Sequence, residues 1–200
     1  DKVHNKFNLF KLIQGYKYRN TYKNETYKYN GLLSTFAFNA VQGFNVTTGL
    51  SYLKENPEKE TFYEFGGLVN YGIAENKPRF SGFYTQLFNR INNSKLQITG
   101  GSTVHQFGED YPIKKLINSL SSSWFGKNYA KFYQKDFVRY QYEIELINGI
   151  FTKADLEYAN RIPLFNNTEN SPFVKDKLFS SPMTAQIFLY VLGFGIVCSP

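Results

Sequence analysis

The chain has 200 residues, a net charge of +7 and a mean hydropathy of −0.41, and 18% of its residues are aromatic. Two hundred residues are enough for one domain, and the absence of any run of ~18 apolar residues argues against a helical membrane protein. A single cysteine, Cys198, excludes an internal disulfide framework and a cysteine-rich metal site.

The start of the sequence and its charge distribution limit the possible partners. The chain begins at Asp1 without an initiator Met or a signal peptide, so we expect a mature chain or a fragment. Basic residues are spread among tyrosines in predicted strands and turns, with the densest run between Lys2 and Lys28. This distribution does not predict nucleic-acid binding, because anionic lipid headgroups or simple solvation explain the charge equally well.

Strand patterns recur along the chain at the spacing of hairpins, separated by breakers such as Asn56-Pro57 and Asn92-Asn93. Many are longer than the ~5–6 residues typical of globular sheets and suit tilted membrane strands, which need ~9–11 residues to cross. Strands can cross a membrane without a continuous apolar run, because only every second residue faces lipid. The predicted strands are about 9–19, 27–40, 43–54, 60–74, 78–91, 94–105, 136–147 and 150–160.

The strands 43–54 and 60–74 each carry apolar residues on one face. A four-residue loop at 56–59 would align Tyr52 with Tyr63, Leu50 with Phe65, Val46 with Val69 and Phe44 with Tyr71. Tyr63 and Tyr71 then lie ~26 Å apart along the strand, or ~20 Å along the normal at a tilt of ~40°, close to the separation of two aromatic girdles. The alternative is that the aromatic pairs stabilise an exposed sheet of any kind.

The strand 78–91 has aromatic residues on both faces, so its orientation stays open. Phe80, Tyr84 and Phe88 share one face, and Phe83 and Leu87 share the other.

The segment 106–135 interrupts the series of strands. Pro112 could begin a helix that ends before Gly126, within a helical loop at about 109–133. A lid, a lumen plug and a packed loop are all compatible with its apolar stripe. Counting hairpins places this segment opposite the short turns at 92–93 and 147–149. In bacterial barrels the longer loops are extracellular, so we expect 106–135 and the stretch after 160 to be extracellular.

The hairpin at 137–165 shows the clearest alternation. On one face lie Val138, Tyr140, Tyr142, Ile144 and Leu146 from the first strand, and Ile150, Ala154, Leu156 and Tyr158 from the second. A two-residue turn at Asn148-Gly149 would mix the faces of the two strands, whereas a three-residue loop at 147–149 keeps them apart, with Gly149 in the left-handed conformation. We therefore predict that Tyr140 faces Leu156, Tyr142 faces Ala154, Ile144 faces Thr152, Arg139 faces Glu157 and Glu143 faces Lys153.

The two faces of the sheet predict two environments. If the apolar face meets lipid, the charged face lines a lumen and could influence solute passage. The alternative is a ladder of cross-strand ion pairs that only stabilises the hairpin. The residues expected to face the lumen are Arg139, Gln141, Glu143, Glu145, Lys153, Asp155 and Glu157. Those expected to face lipid are Tyr63, Phe65, Val69, Tyr71, Val138, Tyr140, Tyr142, Ile144, Leu156 and Tyr158.

The sequence does not predict an active site, a metal site or a bound cofactor. His105 has Ser102, Glu109 and Asp110 nearby, but no GxSxG motif occurs, and a single His at a strand end is usually a hydrogen-bonded surface group. Gly100-Gly101 predicts a bend or bulge in a strand, because no phosphate-binding glycine motif follows it.

Three segments carry a resemblance to a known family. They are GGSTVHQFGEDYPIKKLINSL (100–120), NYAKFYQKDFVRYQYEIELINGIF (128–151) and LEYANRIPLFNNT (156–168), and FNAVQGFNVTTGLSY (38–52) adds to them. Together they resemble an uncharacterised family of bacterial outer-membrane proteins with an N-terminal carboxypeptidase-regulatory-like β-sandwich and a C-terminal barrel. The resemblance covers most of 7–180 and implies a Gram-negative outer membrane and a barrel larger than this chain. It supplies no catalytic residues.

The last residues depart from that family. From Pro182 the chain reads PMTAQIFLYVLGFGIVCSP, without charges and apolar on both faces at 187–197. A frameshift or truncation near residue 182 is one interpretation, and a ninth strand buried on both faces is the other. We therefore divide the chain into a barrel region, 1–182, and an atypical apolar tail, 183–200.

The predicted fold is an all-β, antiparallel, up-and-down transmembrane β-barrel. It would have a meander of about eight strands, a short helical extracellular insertion and further strands supplied by a larger barrel. The first functional hypothesis is a non-enzymatic outer-membrane protein that acts as channel, transport component or surface scaffold, with membrane lipids and other outer-membrane proteins as partners. The alternative is a soluble up-and-down barrel that binds an apolar ligand inside.

Overall fold

One short helix and ten strands make up the secondary structure of the computed structural model, which describes residues 5–32, 36–39, 41–106, 132–147, 149–164 and 187–198. The predicted helical loop at 109–133 lies outside the described residues, apart from its last two positions, which begin a strand. The elements are α1 Phe10–Gln14, β1 Gly15–Asn20, β2 Glu25–Asn30, β3 Ala37–Asn39, β4 Gly43–Asn56, β5 Thr61–Gly72, β6 Lys77–Asn89, β7 Ser94–Gln106, β8 Phe132–Ile147, β9 Ile150–Pro163 and β10 Ile187–Cys198.

All ten strands belong to one antiparallel sheet with the order β1-β2-β4-β5-β6-β7-β8-β9-β10, so that almost every strand pairs with its neighbour in sequence. The short strand β3 pairs with β4 beyond the end of β2, and the two share one of the nine positions across the sheet. β1 and β10 form the two edges, and the sheet is not closed. The all-β antiparallel meander is confirmed, with nine strand positions where about eight were predicted.

Alternation of side chains separates the two faces of the sheet, and the cross-strand register keeps each set on one side from β2 to β9. We call the first the apolar face; it carries Leu50, Phe65, Phe80, Tyr140 and Leu156. The second is the polar face, which carries Lys28, Glu64, Arg79, Arg139 and Glu157. β6, whose orientation the sequence left open, has Phe80, Tyr84 and Phe88 on the apolar face and Phe83 and Leu87 on the polar face.

Two strand predictions near the start of the chain are wrong in part. The first half of 9–19 is helical, because Asn8 accepts hydrogen bonds from Phe10 and Lys11 and closes a turn there. The predicted strand 27–40 is broken into β2 and β3, which pair with β4 in registers that differ by three residues.

The predicted register of β4 and β5 is wrong by two residues. Tyr52 pairs with Phe65 and Lys54 with Tyr63, so the turn comprises residues 57–60. The side chain of Asn56, the last residue of β4, accepts a hydrogen bond from the Lys59 amide at 3.3 Å and so stabilises this turn. A shift of two residues leaves every side chain on its own face, so alternation alone could not distinguish the registers.

The two longest connections of the sheet lie at the same end. At one end the strands are joined by the four-residue turns 21–24, 57–60 and 90–93 and by the turn that Gly149 closes. We call this the short-turn end. The opposite end has the four-residue turn 73–76 and the two longest connections, 107–131 and 164–186, whose place agrees with the prediction from counting hairpins.

Candidate functional site

The β8–β9 hairpin holds the charged residues predicted from the sequence, and its register is confirmed. Tyr140 pairs with Leu156, Tyr142 with Ala154 and Ile144 with Thr152, while Arg139 pairs with Glu157 and Glu143 with Lys153. Gly149 has φ +84°, the left-handed conformation that the turn requires. The predicted three-residue loop at 147–149 is wrong by one residue, because Ile147 belongs to β8 and pairs with Ile150 after a register shift between Glu145 and Ile147.

Each of the seven predicted lumen residues has a partner on the hairpin. Arg139 binds Asp155 through two nitrogens, with Nε donating to Oδ1 at 2.8 Å, and Gln141 donates to the same carboxylate at 2.9 Å. Lys153 lies 2.9 Å from Glu143. Glu145 accepts a hydrogen bond from the Gly149 amide at 2.8 Å, which connects the charged ladder to the turn. The hairpin therefore neutralises most of its own charge.

The same ladder contains a buried ion pair that the sequence did not predict. Lys135 Nζ lies 2.8 Å from Glu157 Oε1, and each side chain is only 8% exposed. Arg139 Nε lies 3.9 Å from the other oxygen of Glu157. Lys135 was missed because β8 begins at Phe132, four residues before the predicted strand.

A second polar cluster connects β6 to β8 across β7. Arg79 is fully buried and binds both oxygens of Glu75 through its two terminal nitrogens. Gln134 accepts hydrogen bonds from Lys77 at 3.1 Å and Arg79 at 3.4 Å, and it donates to Asp136 at 2.9 Å. Arg79 Nε has no partner among the described residues. The one sequence signal for this cluster is the four-residue spacing of Glu75 and Arg79 around the turn 73–76.

Carboxamides continue the polar face on β4 and β5. Gln42 Nε2 donates to Asn70 Oδ1 at 2.6 Å, and Asn70 Nδ2 donates to Thr47 Oγ1 at 2.9 Å. Asn39 Oδ1 accepts a hydrogen bond from the Gln42 backbone amide at 2.8 Å, which connects the end of β3 to Gln42. Since Asn70 pairs with Arg79 across β5 and β6, the amides and the buried arginine adjoin each other.

The residues predicted to face lipid lie on the apolar face, which packs against no second layer among the described residues. Leu156 and Tyr158 remain 50% and 53% exposed in the middle of β9, while Glu157 between them is 8% exposed. All ten predicted residues are exposed except Ile144, which is half-buried. The exposed ones are Tyr63, Phe65, Val69, Tyr71, Val138, Tyr140, Tyr142, Leu156 and Tyr158.

His105 makes contacts that suit a structural residue. Its Nε2 lies 2.8 Å from Thr103 Oγ1, and its ring stacks on Tyr133 with centroids 5.9 Å apart. Ser102 is half-buried on the same strand, with its hydroxyl oxygen buried, whereas Glu109 and Asp110 lie outside the described residues. The described residues contain no group of three or more His, Cys, Asp or Glu side chains that could hold a metal ion.

The strands β6 and β7 separate at Gly101, where the sequence predicted a bend or bulge. Gly101 has φ +139°, and a Cβ there would lie 2.3 Å from the Phe80 carbonyl oxygen. The β6–β7 ladder ends at the pair Ser81–Gly101, whereas β7 and β8 stay paired up to Gln106.

The described chain is thus an all-β protein of the antiparallel meander class, with one polar and one exposed apolar face. A family model with the description "Family of unknown function (DUF5686) C-terminal domain" matches residues 10–187, so the chain belongs to this family. The predicted resemblance to an uncharacterised family is confirmed at that level. Neither a search of curated proteins nor a search of solved structures finds a match. Among the described residues, no helix has the length and apolar character needed to cross a membrane.

Proposed function

We propose that the chain is the strand-forming part of an outer-membrane β-barrel of a Gram-negative bacterium. Its apolar face meets lipid, and its polar face lines the interior. The protein acts without catalysis, as a channel, a transport component or a surface scaffold. Membrane lipids and other outer-membrane proteins are its partners.

The distribution of burial on the two faces carries this proposal. A water-soluble sheet buries its apolar face, but here the charged residues Arg79, Lys135 and Glu157 are less than 9% exposed while Leu50 and Phe80 are more than 60% exposed. Among the described residues, only Phe38, Val41, Leu87, Tyr133 and Ala159 are buried hydrophobics. Large contiguous apolar surfaces are rare on soluble monomers and typical of lipid-facing strands.

Strand length and loop length support the same conclusion. The strands β4 to β9 have 12 to 16 residues, enough to cross an outer membrane at the usual tilt. Barrels of this kind have short periplasmic turns and longer extracellular loops. We therefore place the short-turn end in the periplasm and the connections 107–131 and 164–186 outside the cell.

The free edges of β1 and β10 imply further strands. Each unpaired backbone group at an edge costs several kcal/mol in hydrocarbon, so a lipid-embedded sheet must close. The family description calls the matched region a C-terminal domain. We infer that strands from outside the described residues complete a larger barrel, and that an N-terminal carboxypeptidase-regulatory-like domain precedes it.

The ion pairs and hydrogen bonds on the polar face favour the interpretation that the charges of the β8–β9 hairpin stabilise the sheet. Each of the seven predicted lumen residues is bonded within this region, so the interior near β8 and β9 presents little unpaired charge to a solute. Selectivity for a charged solute would then arise from the long connections or from the missing strands rather than from this ladder.

The test of the proposal is membrane fractionation of the full-length protein, followed by electrophoresis in detergent with and without boiling. We expect the protein in the outer-membrane fraction, with a shift in migration on boiling that reports a closed barrel. Known periplasmic and outer-membrane proteins in the same fractions are the controls. A soluble monomer indifferent to detergent would overturn the proposal and favour a soluble barrel with an apolar ligand cavity.

A further inference from the structure

We propose that the β1–β2 corner of the apolar face is a binding site for an anionic, phosphate-bearing lipid. The acyl chains lie in a tyrosine-lined groove, and the headgroup lies at Lys6 and Lys11. This inference rests on the proposed membrane location and adds a ligand class and a place on the sheet.

The groove crosses the apolar face from β1 to β5 and has a volume of about 440 Å³. Its wall is a series of aromatic contacts between neighbouring strands. The ring centroids of Tyr18 and Tyr27 lie 6.2 Å apart, those of Tyr27 and Tyr52 5.0 Å, and those of Tyr52 and Phe65 5.3 Å. Rigid aromatic walls of this kind provide a large apolar contact area for hydrocarbon chains.

Glycine forms part of the groove floor at a position where the sheet has room for a side chain. Gly67 lines the groove, and a Cβ at this position would have only one neighbour within 4 Å, the Ser81 carbonyl oxygen at 3.8 Å. Gly82, its cross-strand partner, has similar room, with Gly66 O at 3.4 Å, but does not line the groove. A larger side chain at Gly67 would fit the sheet and fill the groove.

Basic side chains near this corner indicate that the headgroup is anionic. Residues 5–32 contain six basic side chains and one acidic side chain. Arg19 and Lys28 are paired with Glu55 and Glu64 on the polar face, whereas no carboxylate among the described residues forms an ion pair with Lys6 or Lys11. Lys11 Nζ lies 5.0 Å from the centroid of Tyr16, which lines the groove, and Lys11 also donates to the Lys6 carbonyl oxygen. Clusters of Lys and Arg at a membrane surface attract anionic lipids.

The segment that carries these lysines is suited to a membrane interface. Phe7 packs edge-on against Tyr16 at 5.5 Å, which places the segment beside the apolar face. Leu9, Phe10 and Leu12 around the short helix are 74%, 63% and 46% exposed. Apolar side chains interleaved with lysines are typical of segments that lie in the headgroup region, where lysine stems reach toward phosphates.

The test is native mass spectrometry of the full-length protein in neutral detergent, titrated with phosphatidylglycerol or phosphatidylcholine of identical acyl chains. The headgroup variant is Lys6→Gln/Lys11→Gln, and its control, Lys59→Gln/Arg90→Gln, removes two exposed charges from the short-turn end. The groove variant is Gly67→Leu, and its control is Gly82→Leu. The migration shift on boiling shows which variants are folded.

We expect the wild type to bind phosphatidylglycerol more tightly than phosphatidylcholine. In the headgroup variant the ratio of the two affinities should fall roughly tenfold, while in its control the ratio should not change. Gly67→Leu should reduce binding of both lipids, and Gly82→Leu should not. Equal losses in the headgroup variant and its control, or no difference between the two glycine variants, would overturn the site. If the protein still fractionates with the outer membrane, only this inference fails; if the protein is soluble, the proposed function fails with it.

Discussion

The buried ion pair between Lys135 and Glu157 allows a quantitative test of how the polar face is stabilised. Its N–O distance of 2.8 Å is nearly the same as the 2.9 Å of the exposed pair Lys153–Glu143. The side chains are 8% exposed in the first pair and 44% in the second, so burial is the main difference. A buried charge that loses its partner costs ~3–5 kcal/mol, whereas an exposed pair contributes ~0–1 kcal/mol.

Substitutions of the two partners of the buried pair should lower the free energy of unfolding by different amounts. Glu157→Gln removes the carboxylate that pairs with Lys135 and leaves the lysine charge buried near the Phe137 ring, at 4.8 Å, so we expect a loss of ~3–5 kcal/mol in the free energy of unfolding. Lys135→Met leaves Glu157 within 3.9 Å of Arg139, which reduces the loss to ~2 kcal/mol. The double variant Lys135→Met/Glu157→Leu should recover most of the stability, because no buried charge remains alone.

The assay is urea unfolding of the detergent-folded protein, followed by the fraction that keeps its folded migration on an unboiled gel. Glu143→Gln is the matched control and should change the unfolding free energy by at most ~1 kcal/mol. Equal effects of Glu157→Gln and Glu143→Gln would refute the inference that the polar face is the buried one.

Three further predictions use the same unfolding measurement. Glu60 has φ +50°, so Glu60→Gly should stabilise the protein by ~0.5–1 kcal/mol, and a loss of stability would show that the turn is wrongly described. Gly101→Ala should cost at least ~2 kcal/mol, because the new Cβ would lie 2.3 Å from a carbonyl oxygen of β6, while Gly82→Ala should be tolerated. Tyr140→Lys should cost ~2–4 kcal/mol in a membrane, whereas Gln141→Lys on the polar face should cost much less; equal costs would argue against a lipid-facing apolar side.

The sequence was sufficient for the β8–β9 hairpin because a wrong register there mixes charged and apolar residues on one face. The alternation and Gly149 left one register compatible with both strands. For β4 and β5 the alternatives differed by two residues, and both kept the faces intact. The turn decided between them, through the side chain of Asn56 and the left-handed conformation of Glu60.

That turn belongs to a pattern that a closer reading of the sequence could have found. At three turns of the short-turn end, an Asn at the end of one strand accepts a backbone hydrogen bond from the turn, and the residue four positions later has positive φ. The side chains of Asp and Asn commonly make such local bonds. The pairs are Asn20 and Asn24, Asn56 and Glu60, and Asn89 and Asn93.

The buried polar clusters could not be predicted in the same way. Arg79 and Gln134 are 55 positions apart and meet because β6 and β7 separate at Gly101. Alternation assigns a residue to a face, but it does not reveal how strongly the sheet bends or which polar residues the bend buries. The short helix α1 was missed because its apolar residues fit a strand nearly as well as a helix.

The central claim, that the apolar face meets lipid and the polar face meets water, is tested most directly at two adjacent residues of β8. In a Cys198→Ser background, Tyr140→Cys and Gln141→Cys are each labelled with the same small fluorophore in the full-length protein, reconstituted in vesicles that contain spin-labelled lipid. We predict strong quenching by the lipid at position 140 and little at position 141, where a water-soluble quencher should act instead. The reverse pattern, or equal quenching at the two positions, would contradict the proposed orientation of the sheet.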